Sequence, residues 1–218
     1  MEQTARVKRK PEVDHHMLRI GITGGIGSGK TAACKVFEKL GIPVYYSDER
    51  AKYLMQHEHF LIDQLKKHFG EAIYENGHLN RALLAEKVFN NKPKLELLNS
   101  IVHPAVFRDT ERWAEEQRLQ KLPYAIKEAA LLVETGMYKG LDKLIVVTAP
   151  IDMRIKRVSE RDKLSVEEIM ARVRNQLPVE EKIKLADYVI TNDGSMDHLE
   201  NQVKQIHQQL LTLAQNQG

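Results

Sequence analysis

The sequence predicts an α/β protein, a parallel sheet flanked by helices and interrupted by two helical excursions. Three observations carry that expectation. The apolar, β-branched run Leu18–Thr23 leads directly into "GGIGSGKT" and then into a helical stretch. Strand-like runs return at Pro43–Tyr46, Tyr124–Ile126, Leu144–Thr148 and Tyr188–Thr191. Between them, residues 49–120 and 151–186 read as helix, with few strand signals.

Each element has a local reason. After the glycine run, Val36, Phe37 and Leu40 share one helical face, and Gly41 followed by Pro43 ends the helix. Strand, glycine loop, helix and strand together form a βαβ unit, for which a right-handed crossover is expected. In the first excursion Leu61, Leu65 and Phe69 recur at helical spacing, Gly70 and Gly77 punctuate, and Leu83, Leu84 and Val88 begin another amphipathic stretch. In the second, Ser165 and Glu168 are spaced as a capping box. Met196, Leu199, Val203, Ile206, Leu210 and Leu213 form a stripe on a terminal helix expected to cover the sheet. The expected division is an α/β core from residues 17–48, 121–150 and 187–218, interrupted by helical insertions at 49–120 and 151–186.

Composition narrows the class. A chain of 218 residues buries roughly 70% of its unfolded surface without a disulfide or metal staple. The one cysteine, Cys34, excludes an internal disulfide framework and fits a reducing, cytoplasmic setting. No apolar run approaches the roughly 20 residues needed to span a bilayer, so no membrane role is expected. A net charge of +3, with basic and acidic residues interleaved, gives no reason to expect nucleic acid, and no obligatory protein partner is evident. Residues 1–16 are polar and mixed in charge; they read as a flexible extension, not a signal peptide.

The motif G-x-x-x-x-G-K-[ST] is satisfied by Gly24, Gly29, Lys30 and Thr31, which makes the expected core a P-loop nucleotide-binding fold. Glycines allow successive amides to turn inward toward phosphate oxygens, and the following helix presents its positive end. Lys30 would reach the β- and γ-phosphates, and the Thr31 hydroxyl would bind Mg²⁺. A GTP-dependent switch is excluded on two counts. No aspartate has a glycine three residues later, and "NKPK" at 91–94 lacks the aspartate that would read guanine. A motor or transporter ATPase is disfavoured because no apolar strand ends in an Asp-Glu pair.

A small-molecule kinase needs a carboxylate for the acceptor hydroxyl, a cationic clamp for the moving phosphoryl group, and an acceptor pocket. Asp48 follows the second strand at the carboxyl edge, where such sheets place chemistry, and is equally suited to capping the next helix. Arg154, Arg157 and Arg161 are spaced to share one helix face, as either a solvated stripe or a phosphate clamp.

With these residues in view, the chain resembles the dephospho-coenzyme A kinase family from about Leu18 to the terminal helix. "GITGGIGSGKT" is similar to that family's opening, "GIPVYYSDERAK" occupies the place of its D-A-D-x-x-A-R segment, and "LNRALLAEKVF" and "IVHPAV" are similar to its substrate-domain stretches. "KRVSERD", "RVRNQ" and "ADYVITNDGS" resemble its lid and final strand. The departures are specific. Tyr46 replaces the first aspartate of D-A-D, Lys52 replaces the closing arginine and loses bidentate recognition, and the P-L-L-x-E stretch reads "EAALLVE". Ala130 replaces the proline there, Glu134 keeps its place, and Glu128 is either a water-mediated approach to Mg²⁺ or a simple variant of the loop.

The resemblance implies transfer of the ATP γ-phosphoryl to the ribose 3′-hydroxyl of dephospho-coenzyme A, the last step of coenzyme A synthesis; another nucleoside or small-molecule P-loop kinase is the alternative. It implies ATP contacts from Gly25, Ile26, Gly27, Ser28, Gly29, Lys30, Thr31 and Ala32, with Asn192 and Gly194 bordering the adenine. Lys30, Asp48, Arg157 and Arg161 would act in the transfer, Arg172 would be a lesser lid residue, and Mg²⁺ on Thr31 would accompany ATP. Asp48, Arg81 and His103 would contact the acceptor.

Overall fold

The computed structural model describes residues 16–88 and 91–217, so the extension expected at 1–16 lies, apart from His16, outside the described residues. Its centre is a five-stranded parallel sheet in the order β2-β5-β1-β6-β7. The strands are β1 (Leu18–Thr23), β2 (Val44–Tyr46), β5 (Tyr124–Glu128), β6 (Lys143–Thr148) and β7 (Tyr188–Thr191). Helix α1 (Lys30–Lys39) links β1 to β2, yet these strands are not neighbours: β5 lies between them.

One sheet face packs on α1 and on α9 (Met196–Gln217). Ile20, Ile22, Phe37, Tyr124, Ile126, Val147, Leu199, Val203, Ile206 and Leu210 close that core. The expected stripe on α9 holds except at its start, where Met196 is 56% exposed. The C-terminal end of α1 is as expected, with Gly41 just beyond the cap at φ 83°.

Between β2 and β5 the chain leaves the sheet. Helices α2 (Ser47–His57), α3 (His59–Phe69), α4 (Arg81–Val88) and α5 (Lys92–Leu119) gather around a second core of Leu54, Leu61, Leu65, Phe69, Ile73, Leu79, Leu84, Val102 and Ala105. The long α5 is capped by Asn91, whose Oδ1 accepts from the Lys94 amide at 3.1 Å. Among these helices lies a hairpin absent from the sequence expectation, β3 (Tyr74–Glu75) with β4 (His78–Leu79). Asn76 and Gly77, at φ 51° and 78°, make its two-residue turn, which Asn-Gly favours because both central residues need positive φ.

After β6 the chain leaves the sheet again through α6 (Ile151–Asp162), α7 (Val166–Arg174) and α8 (Val179–Ile183). The expected capping box at α7 is present: Ser165 Oγ accepts from the Glu168 amide at 3.2 Å, and Glu168 accepts from the Ser165 amide at 2.8 Å.

Candidate active site

The loop after β1 is built for an anion. Gly24, Gly27 and Gly29 take φ of 155°, 76° and 94°, conformations that a side chain resists. Gly29 hands the chain to α1 with no side-chain cap, and the first turn of α1 holds no acidic residue. The amides at that end are therefore free for a ligand, at the positive pole of the helix. Thr31 stands exposed in the same turn.

The loop's shape is held from outside the motif. Arg154, buried on α6, donates from Nε to the Ile26 carbonyl at 2.9 Å. Gln176, just past α7, accepts from the Ile26 amide at 2.9 Å, so one residue of the loop is gripped through both its N–H and its C=O. Asn192, following β7, donates from Nδ2 to the Ser28 carbonyl at 2.9 Å and fills the space a side chain on Gly29 would need. Lys30 turns back to donate to the Gly24 carbonyl at 3.0 Å. The structure thus gives Asn192 a contact with the loop, and Gly194 lies beside His198.

Arg154, Arg157 and Arg161 do not form one uniform stripe. Arg154 is committed to the loop, whereas Arg157 is partly buried with Nη1 lacking any partner. Arg161 is exposed and paired in a two-bond fork with Asp162, at 2.7 and 2.8 Å. Arg172 is exposed on α7.

Asp48 lies in the first turn of α2, and the N-cap position is Tyr46, which makes no side-chain cap. The capping alternative for Asp48 is thereby corrected: α2 begins at Ser47, too early for Asp48 to be its cap, leaving Asp48 exposed with a free carboxylate. It lines a cavity of about 270 Å³ between α2, α5 and the end of β5, together with Ser47, His103, Lys127 and Thr135. Apolar walls come from Ala51, Met55, Leu98, Val102, Val106 and Leu131. His103 is half-exposed, and burial with the nearby Lys127 charge keeps its imidazole below the ordinary pKa. Arg81 is not part of this lining; it opens α4, exposed.

The cavity and the loop meet electrostatically at Lys30. Burial pulls its ammonium below the usual lysine range, while Glu128 and Asp48 pull it back up. Glu128, buried at the end of β5, is pushed up by burial and drawn down by Lys30. Cys34 is buried nearby with its thiol pushed well up, so it stays protonated and is no nucleophile. Among the described residues no group of three or more His, Cys, Asp or Glu could cage a metal. A hydroxyl at Thr31 and carboxylates at Asp48 and Glu128, set around a lysine on a phosphate loop, suit an Mg²⁺ that arrives with phosphates and keeps several waters.

Glu134 serves as a tie. Its Oε1 accepts from the Leu177 amide at 3.0 Å and from Lys182 Nζ at 2.7 Å, and Lys182 also donates to the Ala130 carbonyl at 3.2 Å. Lys182 is 0% exposed, so α8 is anchored to the loop after β5 by a wholly buried cation. Of the departures, Tyr46 packs partly buried against the core under Lys35, 5.3 Å from its ring, and Lys52 is exposed on α2.

The sequence assigned no role to Gln176, Lys182 or Lys127, and offered Arg154 only as one of an arginine stripe, not as a support of the loop. For Lys127 a signal was present, a cation inside the otherwise apolar start of "YAIKEAALL". The others depend on partners far away in the chain.

Comparison with known proteins identifies a family. A family model described as dephospho-CoA kinase matches residues 18–198. The dephospho-CoA kinase of Aquifex aeolicus is 39% identical over 195 residues, 89% of this chain and 98% of the relative. That of Salinibacter ruber is 40% identical over 192 residues, 88% and 96% of the two chains. A crystal structure from Thermus thermophilus shares 37% identity with a TM-score of 0.78, over 89% of this chain and 98% of the other. The dephospho-CoA kinase structure from Campylobacter jejuni, at 24% identity and a TM-score of 0.62 over 89% and 97%, shares the fold. With a phosphate loop, a carboxylate-bearing cavity beside it and these relatives over most of its length, the chain is a kinase and belongs to the dephospho-CoA kinase family.

Proposed function

We propose that the chain transfers the γ-phosphoryl group of ATP to the ribose 3′-hydroxyl of dephospho-coenzyme A, releasing ADP and coenzyme A. One observation carries the reading: Asp48 both lines the cavity and lies within the electrostatic reach of Lys30, so acceptor and phosphate sites share one carboxylate.

The roles follow from position. The loop of residues 25–32 and the start of α1 hold the phosphates, and Lys30 leaves the Gly24 carbonyl to meet the β- and γ-phosphates. Asp48 accepts the proton of the acceptor hydroxyl as its oxygen attacks the γ-phosphorus in line, while the bond to the ADP oxygen breaks. Arg157, with an unpartnered Nη1, and Arg161, freed from Asp162, neutralise charge on the moving phosphoryl group. Thr31, with Glu128 through water, would hold the Mg²⁺, which supplies charge neutralisation at the phosphates when bound. His103, neutral at pH 7, hydrogen-bonds the acceptor from α5. Arg81 contacts only acceptor atoms that extend beyond the cavity.

The three parts follow the same logic. The sheet with α1 and α9 is the nucleotide-binding core, residues 49–120 hold the acceptor, and residues 151–186 are a lid hinged on the Ile26 and Glu134 contacts. No helix among the described residues is long and apolar enough to cross a membrane.

The test is ADP release from ATP with and without dephospho-coenzyme A, with nucleosides as competing acceptors. Strong stimulation by dephospho-coenzyme A alone is the expected result. Equal stimulation by nucleosides would point to a broader nucleoside kinase.

A further inference from the structure

The sheet face beneath α5 carries a charge that the reaction outlined above does not use. Lys127, on β5 between Gly21 of β1 and Tyr45 of β2, is 8% exposed, and its side chain reaches the wall of the cavity that holds Asp48 and His103. Its ammonium makes no hydrogen bond or ion pair with any described residue. Glu111, the carboxylate that draws on it, is already paired with Arg19. Burial and the Arg19 charge hold its pKa below the lysine range. Ser47 Oγ, on the same wall, is also buried without a partner.

An ammonium on a residue only 8% exposed, whose drawing carboxylate is committed to Arg19, is a cost to the fold. Two residues to either side lie Ala125 in the strand and Ala129 just beyond it, both buried, so an apolar side chain would suit the packing. A ligand anion would remove the cost. In the proposed acceptor, anionic charge resides in the 5′-diphosphate, joined through the sugar to the carbon that bears the 3′-hydroxyl. A cavity with a carboxylate at one wall and an ammonium at another matches that pair of groups, and its apolar walls suit the uncharged remainder.

We propose that Lys127 is a specificity-determining contact, its ammonium binding the diphosphate of dephospho-coenzyme A while Asp48 meets the 3′-hydroxyl. This rests on the acceptor reading given above. The Lys127→Met variant keeps the side-chain length and removes the charge. Its KM for dephospho-coenzyme A should rise roughly ten- to hundredfold, the range for a charge-assisted hydrogen bond. The inhibition constant of adenosine, which lacks the diphosphate, should move less than about twofold on the same reasoning. A melting temperature at or above that of the parent would show that the strand still packs; should the variant not fold, Lys127→Gln serves with the same readouts. An unchanged KM for dephospho-coenzyme A overturns the proposal. Equal losses for adenosine and dephospho-coenzyme A also overturn it, because they mark a purely structural role. A parent enzyme that releases no ADP with dephospho-coenzyme A overturns the acceptor reading itself, and this inference with it.

Discussion

The phosphate loop and the acceptor cavity are adjacent, and they are built in opposite ways. In the loop, Arg154 and Gln176 hold Ile26, Asn192 holds Ser28, and Lys30 rests on Gly24. In the cavity, Ser47 Oγ is buried without a partner, the Lys127 ammonium makes no hydrogen bond or ion pair with any described residue, and the Asp48 carboxylate is free. The loop is preorganised, so its geometry is largely set before ATP arrives, which is where electrostatic stabilisation gains most. The cavity keeps its polar groups unsatisfied, so an acceptor must supply the missing partners, which favours one ligand over its analogues. One side supplies rate; the other supplies choice.

The sharpest way to break this contrast is Asp48→Asn, at the point where the two regions meet. Asn cannot take the hydroxyl proton, and turnover should fall on the order of a hundredfold or more. Because Asp48 is not the cap of α2, the stability cost is limited to a lost charge near a helix N-terminus, about 0.5 kcal/mol. Melting and steady-state kinetics on one preparation decide the matter: an active variant removes the general base and leaves positioning and Mg²⁺ to activate the hydroxyl.

Lys30→Ala tests the preorganised side alone. Losing its charge at the transition state should cost on the order of 3 kcal/mol, about a hundredfold in rate. Acceptor affinity, measured by calorimetry with dephospho-coenzyme A, should be unchanged. Loss of acceptor binding would show that the two regions are not separable.

The Glu134–Lys182 tie sharpens the comparison through stability. Glu134→Ala strands a fully buried ammonium and should cost about 3 kcal/mol in chemical denaturation. Lys182→Met leaves a carboxylate whose side chain is 19% exposed and can reach water, so its cost should be clearly smaller. Equal losses would mean that packing of the lysine stem, not its charge, anchors α8.

The smallest effect belongs to the core beneath both regions. His207 on α9 is buried, and its Nδ1 lies 2.6 Å from the Tyr124 hydroxyl. Burial holds the imidazole below its ordinary 6.5. The unfolded chain therefore takes up the proton first as pH falls, so stability drops from pH 6.5 down to the folded value and changes no further below it. Above pH 6.5 the contribution is complete. Thermal melts across that window should show the slope, and His207→Gln should flatten it; an unaltered slope would assign it to other groups.

Much of this was legible in the residues. The glycine loop, its strand and helix, the capping box at Ser165 and the stripe on α9 all follow from local spacing, because neighbours within a few residues decide them. Asn76-Gly77 was equally legible as a hairpin turn, and the helical pattern around it hid the signal. Asp48 was visible as a carboxylate at a strand end, but whether it capped a helix depended on whether α2 began directly after β2, as it does at Ser47.

By itself the sequence determined the phosphate cradle, the helical character of both excursions and a set of charged candidates, since these depend on residue type and short-range period. Only the tertiary structure decided which candidates do what. β5 enters between β1 and β2, which brings Lys127 under α5 and Glu128 beside Lys30, although residues 49–120 separate Glu128 from Lys30 along the chain. Arg154, Gln176 and Asn192 reach one loop from three later segments, with separations of 128, 150 and 164 residues. No local pattern encodes such contacts: closing a loop costs only slowly more as it lengthens, so distant partners are chosen by packing rather than by their spacing in sequence.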